Sequence, residues 1–161
     1  MKGDKEHKEQ SAFFSWTEAY DKHYPELGRF FAIPNGGKRP LSVGRRGVLY
    51  PAAALRLKAE GTRRGVLDVM NLIPSATQGP NGGFFKGLIF EFKIPPNTMT
   101  DEQRDWAAHF RANGFRVEEV HSWIEAALIA IDHFGLPADL KKFLPLNRDD
   151  HPVREQFKRA G

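Results

Sequence analysis

The run Leu-Ile-Phe-Glu-Phe at positions 88–92 is the strongest single constraint on how this chain folds. Side chains on a strand alternate between faces, so Leu88, Phe90 and Phe92 point one way and Ile89, Glu91 and Lys93 the other. The strand is core-like, yet one face carries a carboxylate and an ammonium two residues apart. Upstream, residues 65–74 (GVLDVMNLIP) read as a second strand. The glycine-rich connection QGPNGGFFKG between the two implies an antiparallel hairpin. Downstream, Thr100 and Gln103 have the spacing of a capping box at the start of a helix that Asn113-Gly114 closes. Residues 115–120 then read as a third strand. Strand, strand, helix, strand in that order predicts an α/β fold, a mixed β-sheet flanked by α-helices.

The remaining elements fit around this unit. Phe13, Trp16, Ala19 and Tyr20 recur at helical spacing, which predicts a helix over about 5–24 ending at Tyr24-Pro25. A short apolar run from Phe30 to Ile33 is closed by Pro34 and the turn-forming Asn35-Gly36-Gly37. Residues 51–61 (PAAALRLKAEG) read as a compact helix. Ser122 and Glu125 form a second capping-box pair, opening a helix that stops before Gly135. Beyond Leu136 the chain is polar and punctuated by proline. A chain of 161 residues is large enough for one domain with a real core. It has no cysteine, so disulfides, thiolate nucleophiles and Cys-based metal sites are excluded. No apolar run approaches the roughly 20 residues that span a bilayer, and positions 1–10 lack the apolar core of a secretory signal. The expectation is a cytoplasmic protein without membrane contact.

Charge is unevenly placed. Lys38, Arg39, Arg45, Arg46, Arg56, Lys58, Arg63 and Arg64 fall within 27 residues with only Glu60 opposing, a net +7 in a chain whose total is +4. Such a segment suggests a polyanion, most simply nucleic acid, although a solvated basic loop has the same composition. Asp68 lies within the apolar run GVLDVM. If the hairpin pairs as read, Asp68 and Glu91 sit on strands about 4.8 Å apart. Two carboxylates so close repel unless something positive stands between them. Hard oxygen donors favour Mg²⁺ or Mn²⁺, with Lys93 completing a site for metal and phosphate. Taken singly, Glu91 and Lys93 also read as an ordinary surface pair, and Asp68 as a turn residue. The six histidines show no zinc spacing, and QGPNGG lacks the ending of a nucleotide-phosphate loop, so no nucleotide cofactor is expected.

In order along the chain, EHKEQ, FFAIPNGGKR, LKAEGTRRGVLDVMNL, GLIFEFK and MTDEQRDWAAHFRANGFRVEEVHSW resemble the VRR-NUC domain family, virus-type replication-repair nucleases of the PD-(D/E)XK superfamily. The resemblance implies a restriction-endonuclease-like fold over residues 4–135, with 136–161 as a C-terminal extension. It implies a Mg²⁺- or Mn²⁺-dependent DNA endonuclease, structure-specific on branched DNA in the manner of a Holliday-junction resolvase. Such an enzyme would act as a homodimer in a bacterial or phage-infected cell. Asp68, Glu91 and Lys93 would be the catalytic residues, with Asp68, Glu91 and the carbonyl of Phe92 on the metal. The first helix would add an acid that completes the metal's shell or supports a second ion: Glu6, four residues before Gln10, fits best, and Glu9 competes. Gln103 falls where such nucleases place a glutamine near the site, and the capping box explains it equally well. Lys38, Arg39, Arg45, Arg46, Arg63 and Arg64 would hold DNA phosphates. The alternatives are a nucleic-acid-binding module that does not cleave, and a nonspecific or nicking nuclease.

Overall fold

The computed structural model describes residues 2–33, 42–43, 49–50 and 52–145, with side chains over 5–33 and 56–145. Its centre is a four-stranded sheet of β1 (Phe31–Ala32), β4 (Val69–Asn71), β5 (Leu88–Phe92) and β6 (Arg116–Val120), in the order β1-β4-β5-β6. β1 pairs antiparallel with β4, β4 antiparallel with β5, and β5 parallel with β6. The sheet is therefore mixed, and the expected hairpin is present. β2 (Ser42–Val43) and β3 (Leu49–Tyr50) form a separate two-stranded pair. The helices are α1 (Lys2–Tyr20), α2 (Ala52–Ala59), α3 (Asp101–Ala112) and α4 (Trp123–His133). None of them is long and apolar enough to cross a membrane among the described residues.

Strand alternation decides which layer each residue of β5 enters. Leu88, Phe90 and Phe92 pack with Phe13 and Trp16 of α1, and with Ile124, Ala127 and Ile131 of α4. Phe13 meets Phe30 at 4.9 Å and Phe90 at 5.5 Å between ring centroids, both edge-to-face, a favoured geometry for aromatic pairs. On the opposite face Ile89 joins Leu67, Met70, Met99, Ala107 and Val117 beneath α3. Every residue of β5 is buried, Glu91 among them.

Several boundaries differ from the sequence expectation for local reasons. The strand expected over 65–74 is ladder-paired only at Val69–Asn71. Gly65 has φ +76°, and a Cβ there would fall 2.6 Å from the Glu102 Cβ, so this end is a tight turn against α3. At the other end the buried Asn71 accepts from Ile73 N–H at 2.9 Å and donates to the Glu26 carbonyl at 2.8 Å, which closes the strand with a side-chain turn. α1 ends at Tyr20, whose carbonyl takes both His23 N–H and Tyr24 N–H. The Ser122–Glu125 pair is half a capping box. Ser122 Oγ accepts Glu125 N–H, but Glu125 Oε2 accepts from His121 N–H, one residue beyond the cap. Past Leu136 a 3-10 helix, Ala138–Phe143, seats Leu140 in the α1–α4 core, and Leu144 follows it there.

Candidate active site

The register that pairs Val69 with Phe90 and Met70 with Ile89, continued by one residue, sets Asp68 opposite Glu91. Asp68 Oδ2 accepts Phe92 N–H at 3.2 Å, which ties the carboxylate to the strand carrying Glu91. Glu91 itself faces α3, where two donors converge on one of its oxygens. Gln103 Nε2 donates to Glu91 Oε1, and the same oxygen lies 2.8 Å from Lys93 Nζ. The other oxygen, Oε2, is buried with no hydrogen-bond partner among the described residues. Burial, followed by the charge of Asp68, pushes the Glu91 carboxyl up to about 7 from 4.5. Burial pulls the Lys93 ammonium down, but the hydrogen bond to Glu91 and the charges of Glu91, Glu6 and Asp68 more than offset that. Its pKa lies above the ordinary value, so Lys93 stays protonated.

Gln103 both caps α3 and reaches Glu91. Its Oε1 accepts Thr100 N–H at 2.9 Å while Thr100 Oγ1 accepts Gln103 N–H, a complete capping box. That leaves the amide nitrogen for Glu91. One side chain thus starts α3 and holds the strand carboxylate.

The two candidate acids of α1 separate cleanly. Glu9 Oε2 accepts Trp123 N–H at 2.8 Å and so satisfies an open donor at the start of α4. Glu6 Oε1 accepts Asn97 Nδ2 at 2.9 Å and Ile94 N–H at 3.4 Å, on the turn that leaves β5, and its charge acts on Lys93. Among the described residues no three His, Cys, Asp or Glu side chains are grouped as metal ligands. The carboxylates that the β4–β5 register sets opposite each other are Asp68 and Glu91. A buried carboxylate oxygen without a partner among the described residues, its carboxyl pKa raised by burial and then by a second acid, fits a hard cation, and Mg²⁺ characteristically binds through one or two carboxylates.

Of the basic residues, Arg63 and Arg64 are exposed on the turn ahead of Asp68, and the Arg64 carbonyl accepts Trp106 Nε1–H at 3.2 Å from α3. Lys38, Arg39, Arg45 and Arg46 lie outside the described residues, as does the Pro34–Gly37 turn. Two residues near the site had no assigned role in the sequence reading. His121 lies with Nδ1 2.8 Å from the Lys93 carbonyl, and Glu119 stands on β6 opposite Glu91. The parallel β5–β6 register brings them there; the strand–helix–strand order implies a parallel pair but not which residues stand opposite one another.

No protein-family model matches the chain, and no curated protein matches it. Among solved structures, a VRR_NUC domain protein superimposes with a TM-score of 0.58 at 16% sequence identity, over 84% of this chain and 93% of that one. At that identity the likeness concerns the fold. The chain has the α/β restriction-endonuclease-like fold of a VRR_NUC domain protein, a mixed sheet between helices.

Proposed function

We propose that this chain is a metal-dependent nuclease that hydrolyses phosphodiester bonds in DNA. One observation carries the reading: the buried Glu91 keeps an oxygen with no partner among the described residues, beside a second carboxylate and a fixed ammonium. An ordinary surface pair explains none of this. Asp68, Glu91 Oε2 and the carbonyl of Phe92 would hold Mg²⁺ or Mn²⁺. Such an ion, when bound, lowers the pKa of its water and offsets charge on a phosphoryl oxygen.

The protein's own residues divide the remaining work. Gln103 and Lys93 both occupy Oε1 of Glu91, while Oε2 has no hydrogen-bond partner among the described residues. Lys93, held as an ammonium, is a donor and not a general base. It orients the attacking water or stabilises charge that grows on the phosphoryl group. Glu6 steadies the turn after β5 and adds negative charge beside Lys93. Arg63 and Arg64 contact DNA phosphates ahead of Asp68, with Lys38, Arg39, Arg45 and Arg46 extending that basic surface. These contacts fix position without reading sequence. The substrate is branched DNA, cut by a two-fold dimer whose symmetric sites each address one strand.

Labelled linear, flapped and four-way DNA, incubated with and without Mg²⁺ or Mn²⁺, tests both levels. The expected result is divalent-dependent cleavage, strongest on the branched substrates and abolished by chelator. D68N and E91Q should each lower it by roughly 100-fold or more while DNA binding stays within a few fold. Undiminished cleavage by either variant removes that residue from the mechanism. DNA binding without cleavage under any divalent cation leaves a binding module in place of an enzyme.

A further inference from the structure

We infer that Glu119 is a positioning residue: its carboxylate fixes the start of α3 so that Gln103 meets Glu91. The inference rests on the nuclease reading only for its catalytic consequence. In the parallel β5–β6 ladder Glu91 stands opposite Glu119 and Ile89 opposite Val117. In-register residues of a parallel pair share a face, and Ile89 and Val117 both lie in the cluster under α3. Glu119 therefore borders Glu91 on the α3 side of the sheet. Its carboxylate Oε2 accepts Met99 N–H at 2.9 Å.

Met99 is buried and immediately precedes Thr100, the N-cap of α3. Thr100 N–H in turn donates to Gln103 Oε1, and Gln103 Nε2 donates to Glu91. A closed path thus runs from Glu119 through the Met99–Thr100 backbone and Gln103 to Glu91, the neighbour of Glu119 on the next strand. Glu6 anchors the earlier part of the same turn through Ile94 and Asn97. Glu119 alone among these acids holds the residue adjoining the cap. Because Gln103 is fixed at one end by Thr100, whatever moves Thr100 moves the amide that defines which Glu91 oxygen is occupied. The effect on chemistry is exerted wholly through Gln103.

The direct test reads the Gln103 side-chain amide by NMR on the metal-free protein, the resonance being identified by its disappearance in Q103A. It should exchange slowly with water in the wild type and in E119Q, whose amide oxygen can still accept Met99 N–H. In E119A it should exchange about tenfold faster or more, with β5 and β6 backbone amides still protected. E119D, which withdraws the carboxylate by one methylene, supplies the same comparison if E119A does not fold. In the cleavage assay E119A should lower kcat about tenfold with KM for DNA within twofold. Added to Q103A, E119A should change kcat less than twofold, since residues acting through one contact are not additive. A wild-type-like Gln103 amide in E119A, full additivity with Q103A, or equal loss in E119Q and E119A overturns the inference. A wild-type protein that cleaves nothing sinks the nuclease reading instead, and the amide measurement still decides the role of Glu119.

Discussion

Gln103 shows how one side chain can be fully explained twice. Its carbonyl end belongs to the α3 cap and its amide end to the buried Glu91, so each of its polar atoms is held by a different element. Removing the side chain leaves Thr100 N–H without its acceptor and Glu91 Oε1 with Lys93 alone. Lost buried hydrogen bonds of this kind cost about 1–3 kcal/mol, more when one partner is charged. Q103A is therefore expected to be less stable by about 2 kcal/mol in urea denaturation, and its cleavage to fall as well. Q103E should cleave no better than Q103A despite restoring the cap oxygen, because a third carboxylate then faces Glu91. If Q103E instead retains full activity, the amide donor is dispensable and the contact with Glu91 is structural only. The capping spacing was visible in TDEQ. The reach to Glu91 was not, because it depends on α3 lying across the particular face of β5 that bears Ile89 and Glu91.

Elements supply the next scale, and α1 is the instructive one. It delivers Glu6 and Glu9 less than one turn apart to two different neighbours, the turn after β5 and the first residue of α4. A charged cap on a helix N-terminus contributes about 1 kcal/mol. E9A should therefore lose about that much stability while metal binding and cleavage stay within twofold. E6A should do the reverse, sparing stability relative to E9A and lowering cleavage, through the loosened Asn97 turn and the lost charge beside Lys93. Reversed outcomes would make Glu9 the acid of the site. Sequence spacing favoured Glu6 but left Glu9 in competition, since both lie on the same helical turn and only packing against α4 separates them. The strand-alternation signal was far more informative. It assigned Leu88, Phe90 and Phe92 to one layer and Ile89 to the other, as found, because period-2 geometry is local and needs no knowledge of partners. The ends of β4 were illegible for the opposite reason: Gly65 is shaped by Glu102 and Asn71 by Glu26, both distant in sequence.

At the scale of the whole molecule, two buried ionisable groups on opposite sides of the fold set opposing pH responses. His133, in the last turn of α4, has no accessible surface and no partner at Nδ1 among the described residues, while Nε2 lies 3.3 Å from the Ile73 carbonyl. Burial lowers its pKa from 6.5 to about 4. The folded state therefore binds fewer protons than the unfolded one between these values. Stability from this group is full above pH 6.5 and is lost as pH falls toward 4. Glu91 has the opposite sign: its folded pKa of about 7 exceeds the unfolded 4.5, so its contribution is full below 4.5 and is lost as pH rises toward 7. Each displacement corresponds to about 3 kcal/mol at full effect, so over the shared window, roughly pH 4.5–6.5, the two nearly cancel. Single substitutions should unmask the partner. In metal-free urea titrations compared with the wild type at each pH, E91Q should become progressively less stable as pH falls from 6.5 to 4. H133L should become progressively less stable as pH rises from 4.5 to 7. Parallel pH profiles for wild type, E91Q and H133L would mean that neither group is held away from its ordinary pKa by the fold. With saturating Mg²⁺ the decline of H133L on the alkaline side should shrink, because a cation on the Glu91 carboxylate favours the ionised form that burial alone opposes.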